Sequence, residues 1–171
     1  MDFFDINQNR RSIRKFADPP IEEEKVQKIL EAINRAPSAG NLQSYEVFLV
    51  TKTGLRQALV KAARDQEFLA EAPLVLVFCA NPDRARDRYG RRGTSLYSVQ
   101  DATIACTFAM LAAKALGLDS VWVGAFSEKA VAKVLQLPEA LRPVAMLPIG
   151  YAGKIPNPRP RRPLDDLIHK T

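Results

Sequence analysis

Histidine is nearly missing from this chain: His169 stands alone among 171 residues. A Ser-His-Asp or Cys-His nucleophile would have to be built on that one side chain. Cysteine is almost as scarce. Cys79 and Cys106 both lie inside apolar runs, which predicts two buried thiols and no disulfide framework. One histidine and two separated cysteines do not supply the usual tetrahedral zinc set. Neither a G-x-x-x-x-G-K-[ST] loop nor a G-x-G-x-x-G fingerprint occurs. An enzyme with this inventory takes its reactive group from a bound cofactor. Long apolar runs are lacking too. The richest, Ala102 to Ala113, falls short of the roughly 20 residues that cross a bilayer. Asp2 and Asp5 interrupt the only early apolar run, so no signal peptide is expected. The expectation is a soluble cytoplasmic protein without membrane contact.

What is present points to an anion. The length suits a single domain over residues 1–171. Composition is ordinary for a globular protein, 47% apolar and 26% charged, but the net charge is +6. Three basic clusters carry it, at 10–15, 84–92 and 159–162. Either a nucleic acid or a small anionic ligand would answer that charge. Tyr89 is the one aromatic within the three basic runs, too little interleaving to favour nucleic acid. Two clusters lie at opposite ends of the chain and are free to converge on one anion.

The first cluster organises the rest. In Asn9-Arg10-Arg11-Ser12-Ile13-Arg14-Lys15-Phe16, an extended backbone puts Arg10, Ser12 and Arg14 on one face. Two guanidinium forks around a hydroxyl suit a phosphate or a polyol. Each charge-assisted bond is worth roughly 1.5–3 kcal/mol net. The alternative is a solvated basic arm.

Along the chain, Asp2 to Ile6 reads as a small helix. Ile21 to Ala36 reads as an amphipathic helix with Val26, Ile29, Leu30 and Ile33 at helical spacing, stopped by Pro37. Residues 37–44 form a polar loop. Asn41 and Gln43 there either read the edge of a flat heterocycle or satisfy backbone groups of a helix-to-strand turn. Strands are expected at Tyr45 to Thr51, at Pro73 to Cys79 (buried on both faces), at Asp119 to Phe126 and at Pro143 to Gly150. Leu55 to Ala70 is expected as one helix. Asn81 to Gly93, rich in arginine, is expected as an exposed loop. Its Gly90-Arg91-Arg92-Gly93 formally fits a G-x-x-G nucleic-acid loop. Thr94 to Leu116 is the longest helix expected, apolar nearly all round, and capped by Gly117. Ser127 should cap a short helix through Leu135. The basic, proline-rich tail from Tyr151 should wrap over something, such as a second subunit.

Five pieces, in order, resemble the nitroreductase family of flavin enzymes. They are Arg10-Arg11-Ser12-Ile13-Arg14-Lys15-Phe16, then Pro37-Ser38-Ala39-Gly40-Asn41-Leu42-Gln43. Gln100-Asp101 with Gly117-Leu118 and Trp122-Val123-Gly124-Ala125-Phe126 follow. Leu147-Pro148-Ile149-Gly150-Tyr151 and Arg159-Pro160-Arg161-Arg162-Pro163-Leu164 close the series. The resemblance implies an α+β fold with a mostly antiparallel central sheet flanked by helices, and a C-terminal tail exchanged in a homodimer. It implies FMN at the subunit interface and NADPH or NADH as electron donor. The acceptor would be a small, flat, electron-poor aromatic such as a nitroaromatic, a quinone or a flavin. Arg10, Arg11, Ser12 and Arg14, closed on by Arg159 and Arg161, would hold the cofactor's phosphate, ribityl chain and ring edge. Pro37, Ser38, Ala39, Asn41 and Gln43 would come from the partner. Trp122, Val123, Gly124 and Ala125 would border the ring, with the Gly124 N–H against the flavin N5. Gln66 is assigned to the pyrimidine edge. Catalysis would rest on the flavin, with no protein acid or base. Larger members carry an acidic residue at the Gly124 position and a Lys near Phe68, and a long insertion after Leu76 is missing here. Some members fragment flavin or dehalogenate rings instead. A flavin carrier or sensor without turnover and a basic nucleic-acid module are the other classes considered.

Overall fold

The computed structural model describes residues 2–171. Asp2 starts the first helix, α1 (Phe3–Asn9), with a capping box. Its carboxylate accepts from Asp5 N–H at 2.9 Å, and Asp5 accepts from Asp2 N–H. Arg10 to Phe16 then runs extended. Helix α2 (Glu23–Asn34) presents Ile29 and Ile33 to the core and ends before Pro37. A 3₁₀ turn at Ala39–Asn41 leads into β1 (Tyr45–Val50). The helix expected over 55–70 is two: α3 (Thr53–Ala62) and the single turn α4 (Phe68–Glu71). Arg64 and Asp65 break it, both with positive φ. Strand β2 (Leu74–Ala80) is buried at every position, as its unbroken apolar run predicts.

Residues 81–93 are not an exposed loop. They fold as α5 (Pro82–Arg92), with proline at its first position, followed by a π turn at Gly93–Tyr97. Only Ala85 of α5 is buried, so the helix has no apolar stripe for sequence reading to find. The Gly90–Gly93 segment runs from a kink at Gly90 into the π turn and forms no separate loop. Helix α6 (Ser98–Ala115) follows, with Gly117 at φ +78 ending it. Ala102, Ala105, Cys106, Ala109 and Ala113 form its buried stripe, and Phe108 is exposed. Pro82–Ala115 together is long and apolar enough, by length and composition, to pass for a membrane span, although residues 102–113 alone are not. That buried stripe packs against Leu76, Phe78 and Leu147, so α6 is a core helix. Burial pushes the Cys79 thiol up to about 12, aided by Glu46, and raises Cys106 further; both are core groups.

The strand expected over 119–126 reduces to β3 (Asp119–Ser120) and one bridge, Val123 to Met146. Ser127 caps α7 (Glu128–Leu135), its hydroxyl accepting from Ala130 N–H at 3.2 Å. Strand β4 (Arg142–Gly150) completes a four-stranded antiparallel sheet in the order β1-β2-β4-β3. The fold is α+β. Helices α2 and α6 cover one face, around Leu76, Phe78 and Leu147; α3 and α7 cover the other, around Val75, Val77 and Met146. The tail beyond Tyr151 is extended and exposed, with one turn, α8 (Leu164–Leu167).

Candidate cofactor site

The N-terminal arm is a strand-like strap on the β3 edge. Ser12 bridges Ser120 in parallel, and Ile13 N–H donates to Ser120 O at 3.1 Å. Farther on, Phe16 pairs with Ala152, Gly153 N–H donates to Lys15 O at 2.8 Å, and Ala17 N–H donates to Tyr151 O at 2.9 Å. A Cβ at Gly153 would fall 3.0 Å from the Phe16 carbonyl carbon and oxygen, so the strap and the tail approach closely at this glycine. This pairing zips the arm to the start of the tail. Both terminal arginine clusters therefore arrive on one side of the sheet. Ile13 and Phe16 are buried and act as the strap's anchors.

Charge on the strap is sorted. Lys15 leaves to an ion pair with Glu71 at 3.0 Å, and Arg11 folds back onto the carbonyls of Gln8 and Arg10. These bonds occupy one terminal nitrogen of Arg11. Burial lowers the Arg10 pKa, and the nearby cations of Arg161 and Arg11 lower it further. No carboxylate offsets them: among the described residues, Arg10, Arg14, Arg159 and Arg161 make no ion pair. Two guanidinium groups drawn together without a carboxylate fit a phosphate.

Next to the strap, β4's edge carries Trp122 to Ala125. Val123 exchanges backbone hydrogen bonds with Met146, at 2.9 and 3.0 Å, and its side chain is in the core. Only its backbone can meet a ligand. Trp122 is half-buried among the α6-side core residues. Gly124 is exposed, and its N–H donates to no acceptor among the described residues. Gln66 is held beside this edge, since its Nε2 donates to Ala63 O at 2.8 Å and to Ala125 O at 3.0 Å. Both amide protons are used there, leaving its carbonyl oxygen as the free group.

The second half of the expected site lies elsewhere. Pro37 is exposed, and Ser38 turns the loop by accepting from Gln43 N–H at 3.0 Å. Gly40, Asn41 and Gln43 all have positive φ. The side-chain amides of Asn41 and Gln43 make no hydrogen bond among the described residues, so they do not serve the backbone of the turn. That work falls to a residue without a role in the sequence reading, Asp101. It is 2% exposed and accepts from Ala39 N–H at 2.9 Å and from Ser44 N–H at 3.2 Å. Its place next to Gln100 in a resembling motif was the only signal. From the other side α5 grips the loop, with Arg84 on Leu42 O at 3.0 Å and Arg88 on Gly40 O at 3.2 Å. A cleft of about 260 Å³ opens beside Gln43, lined by Leu30, Ile33, Asn34, Tyr45 and Arg84.

The two halves are far apart within one chain. The strap flanks β3 at Ser120, whose register passes through Ile149 to Leu74; the loop enters β1 at Tyr45, opposite Ala80. That is four strand steps across, roughly 19 Å, and six residues along, roughly 20 Å. A ligand touching both needs a second copy.

Fold and site define a class: an α+β domain offering cation, amide and backbone donors, with no metal-ligating cluster among the described residues. The chain belongs to the nitroreductase family, whose model matches residues 8–67 and 54–151. It is 30% identical over 175 residues to the FMN reductase [NAD(P)H] of Bacillus subtilis, covering 95% of this chain and 70% of that protein. It is 30% identical over 167 residues to the oxygen-insensitive NADPH nitroreductase of Salmonella typhimurium, covering 94% and 70%. The NADPH:FMN oxidoreductase from Vibrio harveyi, complexed with NAD+, superposes with a TM-score of 0.90 at 29% identity, over 98% of this chain and 76% of that one.

Proposed function

We propose that this chain is an FMN-dependent oxidoreductase that works as a homodimer, with each flavin held by residues of both copies. Its relatives are named as FMN reductases and NAD(P)H nitroreductases. The observation that carries the reading is a partly buried Arg10 that makes no ion pair and whose pKa is lowered by burial and by the nearby cations of Arg161 and Arg11. Arg10, Ser12, Arg14, Arg159 and Arg161 would bind the phosphate and ribityl chain. Asn41 and Gln43, supplied by the other copy, would hydrogen-bond the polar ring edge, and Gln66 would offer its carbonyl oxygen to a ring N–H. The chemistry supplied by FMN, when bound, is uptake of hydride from NADH or NADPH and its delivery to a flat, electron-poor acceptor. The free N–H of Gly124 would steady charge at the ring's central edge. No acid or base stands in this set, so the protein binds, orients and shields rather than moving protons. The reading is of a soluble, cytoplasmic enzyme acting on a nitroaromatic, a quinone or a free flavin.

The visible spectrum of the purified protein tests it. A yellow protein that bleaches anaerobically with NADPH or NADH is expected. Yellow without bleaching would move the assignment to a flavin carrier or sensor. A protein that stays colourless after incubation with FMN would sink the reading.

A further inference from the structure

We propose that the arginine–tyrosine cluster on α5 and the π turn recognises the 2′-phosphate of NADPH, so that this chain discriminates NADPH from NADH. The inference rests on the oxidoreductase reading above and adds its donor specificity. Helix α5 carries five arginines against two aspartates. Asp83 is occupied by Arg86 at 2.6 Å, and Asp87 makes no ion pair. Arg84 and Arg88 are used on the loop carbonyls of Leu42 and Gly40. Arg91 is left with no side-chain hydrogen bond or ion pair among the described residues. Arg92 is engaged through Nε alone, donating to Tyr97 Oη at 3.0 Å, so both of its terminal nitrogens are free.

Arg92 is placed rather than adrift, and Arg91 precedes it with its fork free. Gly90, at φ 50 and ψ −136, kinks the helix and re-aims the residues after it. Arg92 lies over the Tyr97 ring at 5.4 Å, Tyr97 meets Tyr89 edge-on at 5.1 Å and 80°, and Arg88 lies over Tyr89 at 5.5 Å. Stacking fixes the guanidinium plane, which lowers the entropy lost when an anion binds. The cluster also abuts the cofactor loop. A Cβ on Gly40 would fall 2.5 Å from Tyr89 Oη and 2.8 Å from Arg88 Nη1. Helix α5 therefore borders the loop that would hold the flavin, beside the approach of a donor that reaches it. Nitro and quinone rings carry no fixed charge for such a site, and a free FMN acceptor would bring its phosphate whichever donor is used, so it does not separate NADPH from NADH. Of the two donors, NADPH alone brings an additional dianion, and the free terminal nitrogens of Arg92 suit it, with the Arg91 cation adding to the local positive field.

The test compares kcat/KM for NADPH and NADH in the unaltered dimer and in Arg91→Gln/Arg92→Gln, with FMN content and Tm checking the fold. The unaltered protein should favour NADPH, and the variant should lower the NADPH-to-NADH ratio about tenfold, the scale of one lost charge-assisted bond. An unchanged ratio overturns the proposal. So does a variant that instead loses activity on 4-nitrobenzoate relative to nitrobenzene, which would make α5 an acceptor site. A second measurement does not need turnover: calorimetric titration with adenosine 2′,5′-bisphosphate and with 5′-AMP. At least tenfold tighter binding of the bisphosphate, weakened by the double substitution, supports the site even in a protein that neither donor reduces. In that case the oxidoreductase reading fails and this one stands. Equal binding of the two nucleotides overturns it.

Discussion

At the scale of single residues, charge left unbalanced on purpose is set against charge that is paired. Lys15, Lys114 and Arg142 have carboxylate partners within 3.0 Å, while Arg10 and Arg161 make no ion pair among the described residues. Arg161→Ala should therefore weaken FMN binding by about tenfold to a hundredfold, the equivalent of roughly 1.5–3 kcal/mol for a charge-assisted bond. The FMN-free protein should lose no stability, because a repulsion is removed along with the ligand contact. Fluorescence titration with FMN and thermal melts of the FMN-free form measure both, and a lower melt would mean Arg161 holds the fold. Asp101 works in the opposite sense. Truncating it strands the buried Ser44 N–H and that of Ala39, at roughly 1–3 kcal/mol each. Asp101→Ala should lower stability in urea and loosen the 37–44 loop, whereas Asp101→Asn, keeping one acceptor oxygen, should lose about half as much. Equal stability of all three proteins would remove Asp101 as the loop's anchor.

Among the elements, α5 departs furthest from its sequence. Helix α6 was legible because its small apolar residues recur around a whole helix, and α7 because Ser127 announces its start. In α5 the recurring residues are arginine and aspartate, and the stabilising bonds run to carbonyls forty residues away. Local pattern carries no trace of those partners. The junction of α5 with the π turn depends on one close approach: a Cβ at Gly93 would fall 2.5 Å from Ala85 O and 2.7 Å from Tyr89 Cβ. Gly93→Ala should destabilise the protein by about 1–3 kcal/mol through overpacking. It should also release the Tyr89–Tyr97 pair, visible as loss of near-ultraviolet circular dichroism. Unchanged urea unfolding would show that the junction yields without cost.

For the whole molecule, the separation of the two half-sites leads to the proposed dimer. Phe3, Phe4, Phe108, Ile155, Leu164, Leu167 and Ile168 stay exposed on one chain, an apolar surface that a second copy would cover. Subunit mixing tests the shared site directly. One chain carries Arg10→Ala/Arg161→Ala, the other Asn41→Ala/Gln43→Ala. Each variant alone should bind little FMN. Their mixed dimer should recover one intact site of two, counted by absorbance after tandem-tag purification. No recovery in a mixed dimer that forms normally would place both half-sites on one chain's flavin.

Sequence alone determined the elements whose cause is local: the buried apolar run of β2, the proline that stops α2, the glycine after α6 and the serine before α7. It also determined the chemistry on offer, since scarce histidine and cysteine leave the reactive group to a borrowed cofactor and clustered arginine offers anion binding. Tertiary structure decided everything that depends on partners distant in the chain. It sent Lys15 to Glu71 and Arg10 toward Arg161, freed the amides of Asn41 and Gln43 by giving their turn to Asp101, and turned a polar stretch into α5. Each of these is a choice among hydrogen-bond and charge partners, and only the packed sheet brings the competing partners within reach.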